Sequence, residues 1–189
     1  DPENGLMDFS AQDQIMYSVF DKGMWSEPKM LYNGANGSVK GLQAAMMRDG
    51  TAIAVYTLDR TGASDGSGQE IGYTIVNSDG SLGHSMLVTS DENLDENPQV
   101  IAASLHSSDG SIAASHRFIL GWHSQRSGSS DIQLLAVDAS GAMSNNFPAS
   151  LSALTSSGQA NVSGDFRFAR VWNSRTIGTG YVENLTILW

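Results

Sequence analysis

Ile71-Gly72-Tyr73-Thr74-Ile75-Val76-Asn77-Ser78-Asp79-Gly80 decides how this chain folds. Its first six residues are rich in β-branched and aromatic side chains, which suit a pleated, half-buried strand. They run into Asn-Ser-Asp-Gly, where Asx side chains bond their own backbone and glycine accepts positive φ, so the strand turns back. The pattern recurs. Ile15, Tyr17, Ser18 and Val19 fall on Ile71, Tyr73, Thr74 and Ile75 at an offset of 56, and Met30 and Leu31 fall on Met86 and Leu87 at the same offset. Ile132-Gln133-Leu134 matches Ile71-Gly72-Tyr73 at an offset of 61. A glutamine opens an apolar run three times, at Gln43, Gln99 and Gln159, 56 and then 60 residues apart. A fixed period of this size is the mark of one supersecondary unit repeated.

Arg48-Asp49-Gly50, Ser108-Asp109-Gly110 and Asp138-Ala139-Ser140-Gly141 punctuate the chain as Asp79-Gly80 does. Short apolar runs between such turns are hairpins in series. Four strands per unit are expected. The first follows the glutamine (Leu42–Met47; Gln99–Leu105), and the second follows the turn (Ala52–Leu58; Arg117–Trp122; Leu185–Trp189). The third is Gln14–Phe20, Ile71–Val76 and Ile132–Val137, and the fourth carries Met-Leu (Lys29–Tyr32; Ser85–Val88). No segment shows a capped helical stripe. The expected fold is all-β: a β-propeller of four-stranded antiparallel blades, about three in this chain, with approximate units 1–41, 42–97, 98–157 and 158–189.

Tyr17-Ser18-Val19-Phe20-Asp21-Lys22-Gly23-Met24-Trp25-Ser26-Glu27-Pro28 resembles the Gly-x-Trp-Ser-x-Pro hairpin of sialidase-like, Asp-box-related propeller repeats in secreted bacterial proteins. The likeness covers most of the chain in strand order and one hairpin in motif. One residue fewer separates Gly23 from Trp25 than in the strict Asp-box. Where catalytic sialidases carry Arg-Ile-Pro, this chain has Asp165-Phe166-Arg167-Phe168-Ala169-Arg170. The resemblance implies the propeller fold and a secreted or cell-surface setting; it carries over no catalytic residue, and none is assigned. It also implies that Trp25 pins its turn.

The chain begins ahead of a third strand and stops after a second, so its ends fall at equivalent points of the unit. Known rings use about four to eight blades. The expectation is a partial ring finished by another polypeptide segment or by a second copy. A segment cut from a longer protein is favoured, because Ile187-Leu188-Trp189 leaves an apolar edge that needs cover.

Charged residues are only 16% of the 189, and the net charge is −10. That balance opposes nucleic-acid binding, which needs a basic face, and adhesion to anionic lipid. No stretch is long and apolar enough to insert in a membrane as a helix. Absence of cysteine removes disulfides and thiolate zinc sites. Three sequons, at Asn36, Asn161 and Asn184, match what a Ser-rich composition gives by chance.

The aromatics that close strand two form a positional series, Tyr56, Trp122 and Trp189, and Arg60 and Arg126 follow at a spacing of 66. One reading is a ring of platforms that stack on sugars, with the arginines and His123 supplying hydrogen bonds. The other, which is favoured, is packing between neighbouring sheets. The acidic runs Asp65–Glu70 and Asp91–Asn97 suggest an oxygen-lined calcium site that uses Asp91 and Asp95, against the commoner solvated loop. His84, His106, His116 and His123 have no metal-site spacing. Asp59, Asp131, Glu70 and Glu183 are carboxylates that could face one end of a ring, as a glycosidase needs. The expected role is non-catalytic binding or adhesion with a glycan or protein ligand. The alternatives are part of a sialidase-like glycoside hydrolase and a structural spacer.

Overall fold

A computed structural model describes residues 13–35, 37–62, 68–105, 115–126, 129–144, 166–177 and 180–188. Among them there is no helix. Thirteen strands run β1 Ile15–Tyr17, β2 Phe20–Asp21, β3 Met24–Trp25, β4 Lys29–Tyr32, β5 Ser38–Met46, β6 Ala52–Asp59, β7 Gln69–Val76, β8 Leu82–Leu87, β9 Leu94–Leu105, β10 Ser115–Arg126, β11 Ser129–Asp138, β12 Arg167–Ile177 and β13 Gly180–Leu188. All pairing is antiparallel. The sheets are a pair β1-β4, a small hairpin β2-β3, a four-stranded meander β5-β6-β7-β8, a three-stranded sheet β11-β10-β9 and a pair β12-β13. None closes on itself.

The turns follow from the sequence. Gly50, Gly80 and Gly141 all hold left-handed φ, at 92°, 75° and 89°. Each donates its N–H to the carbonyl three residues back (Met47, Asn77, Asp138), and that residue's N–H returns to the carbonyl just past the glycine. Asp49, Asp79 and Asp138 accept backbone N–H bonds from Thr51, Ser81 and Ser140 at 2.9 Å. This is the turn-plus-bulge hairpin in which an Asx residue and a glycine each have a fixed task.

The sheets pack in series. Tyr56 and Leu58 of the four-stranded sheet bury themselves against Ile15 and Tyr32 of the first pair. The opposite face of that sheet presents Ile53, Val55, Ile71, Tyr73 and Ile75 to Ala102, Phe118, Leu120, Trp122 and Val137 of the three-stranded sheet. The far face of the three-stranded sheet meets Phe166 and Phe168, which crowd the space above Gly121, and Phe166 stacks on His123. Period-2 alternation on β6 and β7 is therefore buried on both faces, which is why β6 is apolar nearly throughout.

One hydrogen bond recurs between successive sheets. Tyr17 donates its hydroxyl to the Gly80 carbonyl at 2.9 Å, and Tyr73, 56 residues on, donates to the Gly141 carbonyl at 2.6 Å. The two acceptors are 61 residues apart, the offset that relates the second and third units of the sequence. Strands β5 and β9, which carry Gln43 and Gln99 in their middles rather than at their starts, are edge strands of different sheets that lie beside each other, with Pro98 against Gly41. Gln159 lies outside the described residues.

Candidate functional site

The ends of β6, β8 and β10 and the starts of β5, β7, β9 and β11 lie at one end of the two central sheets, through the pairs Ser38–Asp59–Gln69, Leu94–Gln125 and Arg126–Ser129. Acidic residues collect there. Glu70 opens β7, Asp95 opens β9, and Asp91 sits in the turn between β8 and β9. One carboxylate oxygen from each lies within 4.8 Å of the others. Glu70 is 2% exposed and Asp95 1%, whereas Asp91 is exposed.

The hydrogen bonds around this triad leave it half satisfied. Asp91 donates its backbone N–H to Glu70 Oε1 at 3.2 Å. Its own carboxylate accepts the Asn93 backbone N–H at 2.7 Å and side-chain amide at 3.0 Å. The Trp122 indole N–H donates to Asp95 Oδ1 at 3.1 Å. Glu70 Oε2 and Asp95 Oδ2 are buried without a hydrogen-bond partner. Burial pushes the Glu70 carboxyl above its ordinary range, the Thr89 hydroxyl opposes the rise, and the charges of Asp95 and Asp91 add to it. Asp95 is raised by burial against the pull of the Ser124 and Thr89 hydroxyls. Neither buried carboxylate is in an ion pair; among the described residues the pairs are Lys22–Asp21 and Lys40–Asp59.

The remaining carboxylates do other work. Asp59 is buried, 3.6 Å from Lys40 Nζ, and accepts the N–H groups of Thr61 and Gly62. Asp131 accepts the N–H of Ile132. Glu183 lies on β13, and its side chain is outside the described residues.

The strand-two aromatics are packed inside. Tyr56 is 3% exposed, with its ring 5.5 Å from Tyr32 and its hydroxyl 3.0 Å from Thr74 Oγ1. Trp122 occupies the next layer along. The two lie between different pairs of sheets and offer solvent no flat face. Trp189 and the Arg126 side chain lie outside the described residues. His123 is buried on the opposite face of β10 from Trp122, stacked 5.9 Å from Phe166. Arg60 reaches Ser90 Oγ at 3.4 Å. His84 flanks Tyr73 in another layer, so His84 and His123 share no site; His106 and the His116 side chain are outside the described residues.

Trp25 pairs with Phe20 across the β2-β3 hairpin. Lys22 and Gly23, both at positive φ, make the β2-β3 hairpin, and Ser26 fastens it through two bonds with Val19. Trp25 is 70% exposed and tilts against Phe20, itself 58% exposed, with ring centroids 5.1 Å apart. Met24 beside it is also exposed.

Comparison with known proteins adds no relative. No protein-family model matches the chain, and no curated protein or solved structure does so.

The sequence supplies Asp91 and Asp95 as candidate ligands but does not join Glu70 to them. Glu70 sits in a separate acidic run and reads as a loop carboxylate. Its place beside Asp95 is made by packing β7 near β9, a contact no local spacing announces.

Proposed function

We propose that this chain is a run of propeller-type blades acting as a non-catalytic binding or adhesion module of a secreted or cell-surface bacterial protein. Serial packing of four sheets, the neighbouring strands β5 and β9 and the repeated tyrosine-to-glycine bond support the blade reading. Each is what one repeated unit stacked on its predecessor would give.

The observation that carries the binding reading is the contrast in exposure between rings and acids. The converging carboxylates, Glu70 and Asp95, are buried to 2% and 1%, out of reach of a pyranose. A glycosidase needs both carboxyl groups against its substrate. Among the described residues, the aromatic rings most open to water are Phe20 and Trp25, side by side on the β2-β3 hairpin. Flat apolar faces with a polar edge suit a glycan, and the adjoining exposed Met24 adds adaptable apolar surface.

A glycan-array screen tests this, with the Trp25→Ala chain in parallel. Binding to a defined glycan that falls at least tenfold in Trp25→Ala supports it. Hydrolysis of any arrayed glycan, or binding that Trp25→Ala leaves intact, refutes the assignment.

A further inference from the structure

We propose that Glu70, Asp91 and Asp95 form a binding site for a hard divalent cation of the calcium class, seated where the four-stranded and three-stranded sheets meet. The inference is independent of the glycan reading and stands on the acidic end alone.

Proximity of three acids is not enough; the state of their oxygens carries the case. Glu70 Oε2 and Asp95 Oδ2 belong to side chains 2% and 1% exposed, and neither makes a hydrogen bond of good geometry, although the Thr89 hydroxyl draws on both carboxylates and the Ser124 hydroxyl on Asp95. A buried carboxylate oxygen without donor or cation is strongly disfavoured. The other oxygen of each is already taken, by the Asp91 N–H and the Trp122 indole. The fixed halves of both carboxylates therefore hold the unpartnered halves in place. One oxygen from each of the three residues falls within 4.8 Å of the others, close enough to share one ion.

The donor set names the ion class. All three donors are carboxylate oxygens, with no imidazole or thiolate, which favours a hard cation. Calcium takes six to eight oxygens in flexible geometry and readily completes its shell with water. Exposed Asp91 gives the site a wet side from which an ion and its waters can enter, while Glu70 and Asp95 form the dry floor. Magnesium, which demands near-ideal octahedral geometry, suits this three-sided arrangement less well. Bound there, the cation joins β7, the turn after β8 and β9, and so bridges two sheets.

Trp122 makes the test specific. Its indole contacts Asp95 directly, so a lanthanide in the site lies next to a ring that can transfer energy to it. The full chain is stripped with chelator, then titrated with calcium or magnesium while thermal unfolding is followed. Terbium emission is recorded in parallel under tryptophan excitation. Calcium at a hundredfold excess over its Kd should raise Tm by roughly 5–10 °C, with a smaller response to magnesium. Terbium should show sensitised emission that calcium displaces. Asp91→Asn, at an exposed position, should leave the metal-free Tm within about 2 °C and weaken calcium binding about tenfold or more. Glu70→Gln should remove the terbium signal.

Absence of both a calcium-dependent shift and sensitised emission at millimolar ion would overturn the proposal. So would calcium affinity unchanged in both Asp91→Asn and Glu70→Gln. Should the metal-free chain hold a proton between Glu70 and Asp95 at neutral pH and ignore calcium, the pair is proton-bridged and the cation site is refuted.

Discussion

Replacing Tyr73 by phenylalanine tests the repeat at its most buried point. The ring is fully buried and its hydroxyl donates to the Gly141 carbonyl at 2.6 Å, across the layer between two sheets. Phenylalanine keeps the ring and deletes the donor, leaving a buried carbonyl without that bond. The loss of one partner of a buried hydrogen bond costs about 1–3 kcal/mol. In a chain of this length 1 kcal/mol moves Tm by about 2–4 °C, so a cost near 2 kcal/mol gives a fall of roughly 4–8 °C. The equivalent change at Tyr17 should cost less, about 0.5–1 kcal/mol. Tyr17 is only partly buried, and the Gly80 carbonyl keeps a second donor, Lys29 Nζ at 3.1 Å. Urea melts of both single variants and the double variant give the comparison. The two bonds lie in different layers, so the double variant should show simple addition. Equal costs, or a larger loss at Tyr17, would refute the argument that burial and the second donor on the Gly80 carbonyl set the difference.

Gly121→Ala should destabilise by about 1–3 kcal/mol, since its Cβ would lie 2.8 Å from the rings of both Phe166 and Phe168; calorimetry of the variant decides it. Trp25→Ala, by contrast, should change stability by no more than about 0.5 kcal/mol, because the ring is 70% exposed. The pH profile of the metal-free chain has a defined sign. Glu70 and Asp95 are held above their ordinary values, so between about pH 4 and those raised values the folded chain retains protons that the unfolded chain has lost. Stability therefore falls as pH rises through that window. Asp138 works oppositely. Burial pushes it up, but bonds from Ser140 and Ala142 outweigh this and hold it low, so its contribution is intact above the ordinary carboxylate range and is lost in stronger acid. Urea melts in chelator should peak just above that range. Asp95→Asn should flatten the decline toward neutral pH, and a steady rise up to pH 7 would contradict the burial of the acid pair.

The strands were legible because their signals are local. Asp49-Gly50, Asp79-Gly80 and Ser140-Gly141 set hairpins through bonds spanning three or four residues, and the apolar runs between them have nowhere else to go. Boundaries failed where polar residues enter a sheet. β9 begins at Leu94, five residues ahead of the expected Gln99, because Asp95 finds the Trp122 indole and needs no loop. β10 runs past Trp122 to Arg126 for a similar reason, with Ser124 paired to Asp95 in the ladder. What reads as one strand from Gln14 to Phe20 is split at Ser18 and Val19: β1 ends at Tyr17, and Phe20 belongs to the small β2-β3 hairpin that turns at Lys22 and Gly23. The acid triad was only partly legible. Asp91 and Asp95 share one run, but Glu70 joins them through a sheet-to-sheet contact, and sequence separation hides that.

The tyrosine bonds point in one direction along the chain. Each clasps a carbonyl 63 or 68 residues downstream, in a hairpin not yet made when the tyrosine emerges from synthesis. A sheet therefore stays unlatched until its successor has folded, a wait of roughly 3–14 seconds at about 5–20 residues per second. Leu134 stands where a third tyrosine would reach onward, so the latch series stops at the three-stranded sheet, and Phe166 and Phe168 bring the final pair against Gly121 by ring contact.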